Sequence, residues 1–117
     1  MQKKERTFLE RERNEEYVLK ETNELPGLIV VKGLRRGIGE NNGQWIAEIP
    51  KREEEINGII YDLERVTYMS PTGVGFLMGG VASAINRGRF IGLYGITREV
   101  KKELEITGIV KILPIYT

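Results

Sequence analysis

Apolar positions along the chain recur with two periods, and the switches between those periods divide it into elements. Residues 28–34, LIVVKGL, are a β-branched run typical of a buried strand, and 58–63, GIIYDL, is a stronger one that ends at Asp62 and Leu63. RFIGLYG (89–95) predicts a third buried strand. Between the last two, Val74, Leu77, Met78, Val81 and Ile85 fall at i, i+3, i+4, i+7 and i+11, one face of a helix. Asn86-Arg87-Gly88 supplies its stop, with Gly88 placed as the C′ residue. ITREVKKELEITG (96–108) predicts a second amphipathic helix, capped by Thr97, with Val100 and Leu104 on its core stripe and Gly108 at its end.

The remaining elements are shorter. EYVLKET (16–22) alternates loosely and predicts an edge strand, joined to the next run by a turn at Pro26-Gly27. Trp45, Ile46 and Ile49 make one apolar side of a short helix that Pro50 ends, with Trp45 as a core anchor. VTYM (66–69) is a short extended piece, and IVKILPIY (109–116) closes with a last short strand. Strands alternating with helices imply an α/β domain with a mixed, mostly parallel central sheet of about four or five strands and helices packed against it.

Charge sets off one segment from the rest. Residues 1–15 form a charged N-terminal extension in which Phe8 and Leu9 are the only neighbouring large apolar pair. They predict a solvated helix or frayed arm, or an element that docks through Phe8 and Leu9 on the domain or on a second copy. Residues 16–117 make up the domain. The charged start is unlike a secretory signal, and no run approaches the roughly 18 apolar residues of a membrane helix, so a cytoplasmic location is expected.

Composition narrows the chemistry further. The chain has no Cys and no His, which removes disulfides, thiolate nucleophiles, the commonest general base and the commonest metal ligand. Of 17 acidic residues only Asp62 is an aspartate, so a two-aspartate metal centre is also excluded. The net charge of +1 argues against a strong nucleic-acid binder. Binding is therefore expected rather than catalysis, with no cofactor and no metal.

The junction MSPTGVG (69–75) is the candidate site. Ser70 fits an N-cap and Pro71 the first helical position, where its missing N–H costs nothing. Thr72 followed by Gly73, Val74 and Gly75 is a poor first turn on propensity, yet it surrounds an outward hydroxyl with bare backbone at the positive end of a helix. A phosphate on Thr72 would be favoured there and would also disrupt a docked partner. RRGIGENNG (35–43) reads as a loop, and its GxG alone is weak evidence for a phosphate cradle.

The order of these features resembles the STAS domain family, the fold of bacterial anti-sigma factor antagonists. The residues that carry the resemblance are Asp62-Leu63, Val66 to Met69, Ser70 to Gly73, Thr97 to Val100 and Leu104 to Tyr116. It covers residues 58–117 well, 16–57 in outline and 1–15 not at all. It implies a non-enzymatic partner-switching regulator that binds an anti-sigma factor, often a kinase, and so frees a sigma factor. Phosphorylation of a serine at the helix start breaks such complexes. Here Ser70 stands where the family has aspartate, Pro71 where it has the phosphorylated serine, and Thr72 where it has the second hydroxyl.

Pro71 cannot accept phosphate. Either the standard switch is lost, which is the favoured reading, or it has moved to Thr72 or Ser70. The partner surface implied is Ser70, Pro71, Thr72, Gly73 and Val74 with Arg35 and Arg36 of the neighbouring loop. Asp62 aligns with a strand-end aspartate and is expected to fix a loop by hydrogen bonding. The alternatives are a small-ligand (nucleotide or lipid) sensor, with phosphate held between Arg35, Arg36 and backbone amides, and a scaffold subunit that self-associates.

Overall fold

In the computed structural model, which describes residues 8–117, the chain order is β1 (Phe8–Arg13), β2 (Tyr17–Thr22), β3 (Leu28–Gly33), β4 (Gly37–Ile38), α1 (Gln44–Arg52), β5 (Gly58–Asp62), β6 (Tyr68–Met69), α2 (Pro71–Asn86), β7 (Phe90–Tyr94), α3 (Arg98–Glu105), a 3₁₀ turn (Ile109–Lys111) and β8 (Ile115–Tyr116). Six strands form one sheet in the order β1-β2-β3-β5-β7-β8. The first two pairings are antiparallel and the other three parallel. β4 and β6 form a separate parallel pair. The expected α/β architecture is what the chain adopts, with three α-helices against the mixed sheet.

The sheet is wider than the four or five strands expected, because residues 8–13 are a strand and not a helix or frayed arm. β1 pairs along β2, so β2 is internal and not an edge. The charges of β1 find partners in the domain, which is what lets so polar a strand pair. Glu12 accepts from the hydroxyl of Tyr17 and pairs with Arg52 at 2.7 Å. Arg11 pairs with Glu53 and, at 3.3 Å, with Glu21. Residues 1–7, which complete the expected extension, lie outside the described residues.

Alternation along the strands puts Leu19, Ile29, Val31, Ile59, Tyr61 and Leu93 on the face that the helices cover, where each is almost wholly buried. Ile46 and Ile49 of α1, Leu77 of α2, and Val100 and Leu104 of α3 meet them there. Trp45 is the anchor the sequence suggests. Its ring lies 5.2 Å from Tyr17 and stands edge-on to Tyr61 at 6.1 Å.

Two helices differ from expectation. Pro50 does not end α1, which runs on to Arg52. A proline inside a helix strips the carbonyl four residues earlier of its N–H partner, and here the hydroxyl of Tyr61 donates to that carbonyl, Ile46 O, instead. In α2 the buried side is Gly73, Leu77, Gly80, Val81, Ser83 and Ala84, while Met78 and Ile85 point outward. Periodicity cannot orient a helix that is apolar on several sides. The final segment also differs in part, since residues 109–111 form a 3₁₀ turn before the short β8.

Candidate functional site

The helix start is built as its sequence suggests. Ser70 is the N-cap of α2, its Oγ accepting from the N–H of Gly73 at 3.1 Å, and Pro71 follows at the first helical position. The N–H of Ser70 donates to the carbonyl of Ile38 at 2.9 Å, which ties the cap to β4. Gly73 then has a steric reason. A Cβ at that position would land on the Ile38 carbonyl, so only glycine lets the first turn of α2 lie against β4. Gly75 has no such reason, for a Cβ there would meet nothing.

The exposed positions of α2 are Pro71, Thr72, Gly75, Met78, Gly79, Ala82, Ile85 and Asn86, and none carries a charge. A solvent-facing helix surface ordinarily bears charged and polar side chains. Thr72 offers its hydroxyl at the second helical position, fully on this surface, whereas Ser70 is half-buried and committed to its cap. Val74 is partly buried and turns toward α3.

Beside this face runs an apolar groove of about 550 Å³ lined by Tyr68, Met69, Pro71, Val74, Glu103 and Ile106. Tyr68 is 56% exposed and Ile106 90% exposed. The groove has one charged group, Glu103, whose carboxylate accepts from the main-chain N–H of Met69 at 3.2 Å and so holds α3 against β6. Sequence reasoning missed this groove, because its walls come from segments more than thirty residues apart.

The 35–43 loop meets the helix start through its second half only. A polar depression beside Thr72 is lined by Gly39, Glu40, Asn41, Asn42 and Ser70. Asn42 shapes it, accepting from Gly39 N–H and donating to the Gly37 carbonyl, both at 2.8 Å. The Asn41-Asn42 pair between Gly39 and Gly43 was the available signal, since Asn bonds its own turn. Arg35 and Arg36 do not line the depression. Arg35 pairs with Glu15 at 3.3 Å and Glu16 at 3.6 Å, and the Arg36 carbonyl accepts from Thr67 and Tyr68. Glu40 at that depression is a poor neighbour for a bound phosphate.

Asp62 lies apart from this cluster, at the end of β5. Its Oδ1 accepts from Glu64 N–H at 3.1 Å and fixes the turn that follows. Thr97 caps α3 through Val100 N–H at 3.3 Å and donates to the carbonyl of Val66, anchoring α3 beneath β6.

Comparison with known proteins bears on the whole domain. A family model described as the STAS domain matches residues 8–117. No curated protein matches the chain significantly. Among solved structures, the sulfate transporter family protein from Wolinella succinogenes is similar over 79% of each chain at 18% identity, with a TM-score of 0.70. The STAS domain of the SulP transporter from Vibrio cholerae is similar over 79% of this chain and 74% of its own at 22% identity, with a TM-score of 0.61. The anti-sigma factor antagonist SpoIIAA of Bacillus, in its unphosphorylated form, is similar over 95% of this chain and 87% of its own at 15% identity, with a TM-score of 0.60. At these identities the likeness is one of fold.

Proposed function

The chain belongs to the STAS domain family, and from that membership together with the uncharged outer face of α2 we propose that it is a non-enzymatic regulator that binds a protein partner there. The partner class is an anti-sigma factor or a related kinase-fold protein, whose capture would free a sigma factor. The observation that carries this reading is the run of exposed, uncharged positions from Pro71 to Asn86, flanked by the groove in which Tyr68 and Ile106 are exposed. The exposed apolar side chains Tyr68, Met78, Ile85 and Ile106 suit a partner's apolar side chains. Gly75, free of any internal packing duty, lets a partner's backbone approach the helix closely.

Pro71 removes the hydroxyl at the family's phosphoserine position, and Ser70 spends its own on the cap. The complex is therefore proposed to lack the standard switch. Thr72, exposed at the positive end of the helix, is the remaining acceptor, and a phosphate on it would stand in the middle of the docking face.

Binding to a cognate anti-sigma factor, measured calorimetrically, tests the assignment. Gly75→Glu and Met78→Glu change exposed side chains only, so the fold should hold while affinity falls at least about tenfold. Undiminished binding by both variants would place the partner elsewhere. Incubation with the partner and ATP, read by mass spectrometry, decides whether Thr72 or Ser70 accepts phosphate. The likeness to STAS domains of transporters gives a second reading, a module within a larger assembly. That reading predicts no affinity for an anti-sigma factor.

A further inference from the structure

The helices cover one face of the main sheet, and the opposite face carries a second lined depression. Val18 marks that face, since it is buried yet stands outside the main core cluster. Register places Lys20, Val30, Ile60 and Gly92 side by side across four strands, with Asp62, Tyr94 and Tyr116 in the next row. Gly92 keeps the floor low, for a Cβ there would meet the rings of Tyr116 and Phe90 at 3.1 and 3.4 Å. The resulting slot holds about 500 Å³, with Val30 and Ile60 as floor, Phe8 at one end and Tyr94 and Tyr116 at the other. That volume lies within the roughly 300–1,000 Å³ of small-molecule sites, and a mostly apolar lining with a few polar groups is their usual composition.

The polar groups select the ligand's charge. Lys20 lines the slot and, among the described residues, has no ion-pair partner. Glu10, its cross-strand neighbour, is instead bound by Arg13 at 2.7 Å, and Lys32 pairs with Glu64 at 3.3 Å. Asp62 is only 9% exposed and has given one oxygen to Glu64 N–H. Burial pushes its carboxyl up from the ordinary aspartate value, while the charges of Lys32 and Lys20 pull it back down. The aromatic side chains at both ends favour a flat, apolar body.

We propose that this slot binds a small aromatic carboxylate, with its ring on Val30 and Ile60 between Phe8 and Tyr116 and its carboxylate on Lys20. The site lies on the other face of the sheet from α2 and is independent of the partner assignment.

The probe is 2-naphthoate, titrated into the full chain and followed by amide chemical shifts, with the neutral 2-naphthalenemethanol as its control. Saturable shifts confined to the amides around Lys20, Val30, Ile60 and Tyr94 are expected, with the alcohol about tenfold weaker, as the loss of one charge-assisted contact predicts. Lys20→Met should erase the preference for the carboxylate without moving the melting temperature, and Ile60→Glu should remove binding of both. The proposal is overturned by shifts that do not saturate at millimolar probe, by equal affinity for acid and alcohol, or by an undiminished preference in Lys20→Met. Slot shifts that depend on protein concentration and accompany dimer formation in light scattering would assign the face to a second copy, and would overturn it too.

Discussion

The hydroxyl of Tyr61 donates to the main-chain carbonyl of Ile46, the acceptor left open inside α1 by the missing N–H of Pro50. Burial pushes that hydroxyl above the ordinary tyrosine value, so it remains protonated and a donor. Gly80 of α2 packs over the same point, where a Cβ would come within 2.5 Å of the Ile46 carbonyl. A strand side chain, a helix defect and a helix glycine thus meet at one place.

Tyr61→Phe should cost about 1–3 kcal/mol, the penalty of a buried carbonyl left without a donor. In a Pro50→Ala background the loss should shrink by about 1 kcal/mol, because residue 50 then supplies its own N–H. Urea unfolding of the four proteins gives the coupling. Equal losses in both backgrounds would mean that Tyr61 acts by packing alone.

Three of the four glycines of α2, Gly73, Gly75 and Gly80, should respond to alanine with different signs. Gly73→Ala and Gly80→Ala drive a methyl into the Ile38 and Ile46 carbonyls and should destabilise by about 1–3 kcal/mol. Gly75→Ala meets open space and should stabilise by about 0.5–1 kcal/mol through helix propensity. Thermal melts order the three, and a destabilised Gly75→Ala would contradict the packing described.

Ser70→Ala should lose about 1 kcal/mol, the usual worth of an N-cap side chain. Thr72→Ala should stay within about 0.5 kcal/mol of the parent, since its side chain is exposed at the helix surface. Denaturant midpoints of the two variants test whether Ser70 is structural and Thr72 is free for another role.

Asp62 makes stability depend on pH in a definite direction. Its folded value is raised, chiefly by burial, against the smaller lowering from the Glu64 N–H. The folded chain therefore holds this proton to higher pH than the unfolded chain does. The associated stability is complete below about pH 3.9 and is lost as pH rises through the folded value. Asp62→Asn keeps the oxygen that Glu64 N–H needs and removes the charge, so the variant should gain on the parent as pH rises through that window. Urea midpoints measured across the acidic range check the slope, and a parent that gains on the variant would reverse the assignment.

Much of the fold was legible because its signals are local. Ser70-Pro71, Thr97 and Gly88 act within one helical turn of themselves, and each does what its position suggests. The features that were not legible depend on partners far along the chain. Nothing near Pro50 announces Tyr61 as a substitute donor, and nothing near Gly73 announces the carbonyl of Ile38. The same holds for β1, whose charges read as solvated until Tyr17, Arg52 and Glu53 are placed against them. At the site, Ser70 to Val74 are adjacent in sequence and stay together, whereas Arg35 pairs with Glu15 and Glu16, and Glu103 and Ile106 arrive from α3 and its end.

Among the described residues β1 is the outermost strand on its side of the sheet, with one row of its backbone donors and acceptors left without a neighbouring strand. Such a row is a template on which further chains can stack into fibres. Glu10, Arg11, Glu12 and Arg13 occupy four successive positions there, and the register slips between Glu10 and Glu12. An incoming strand would have to match alternating charges across a break in spacing, and each mismatch raises the cost of growth. The charged β1 thus gives the described domain colloidal protection, bordering the sheet with a strand on which copies crowded at high concentration cannot readily polymerise.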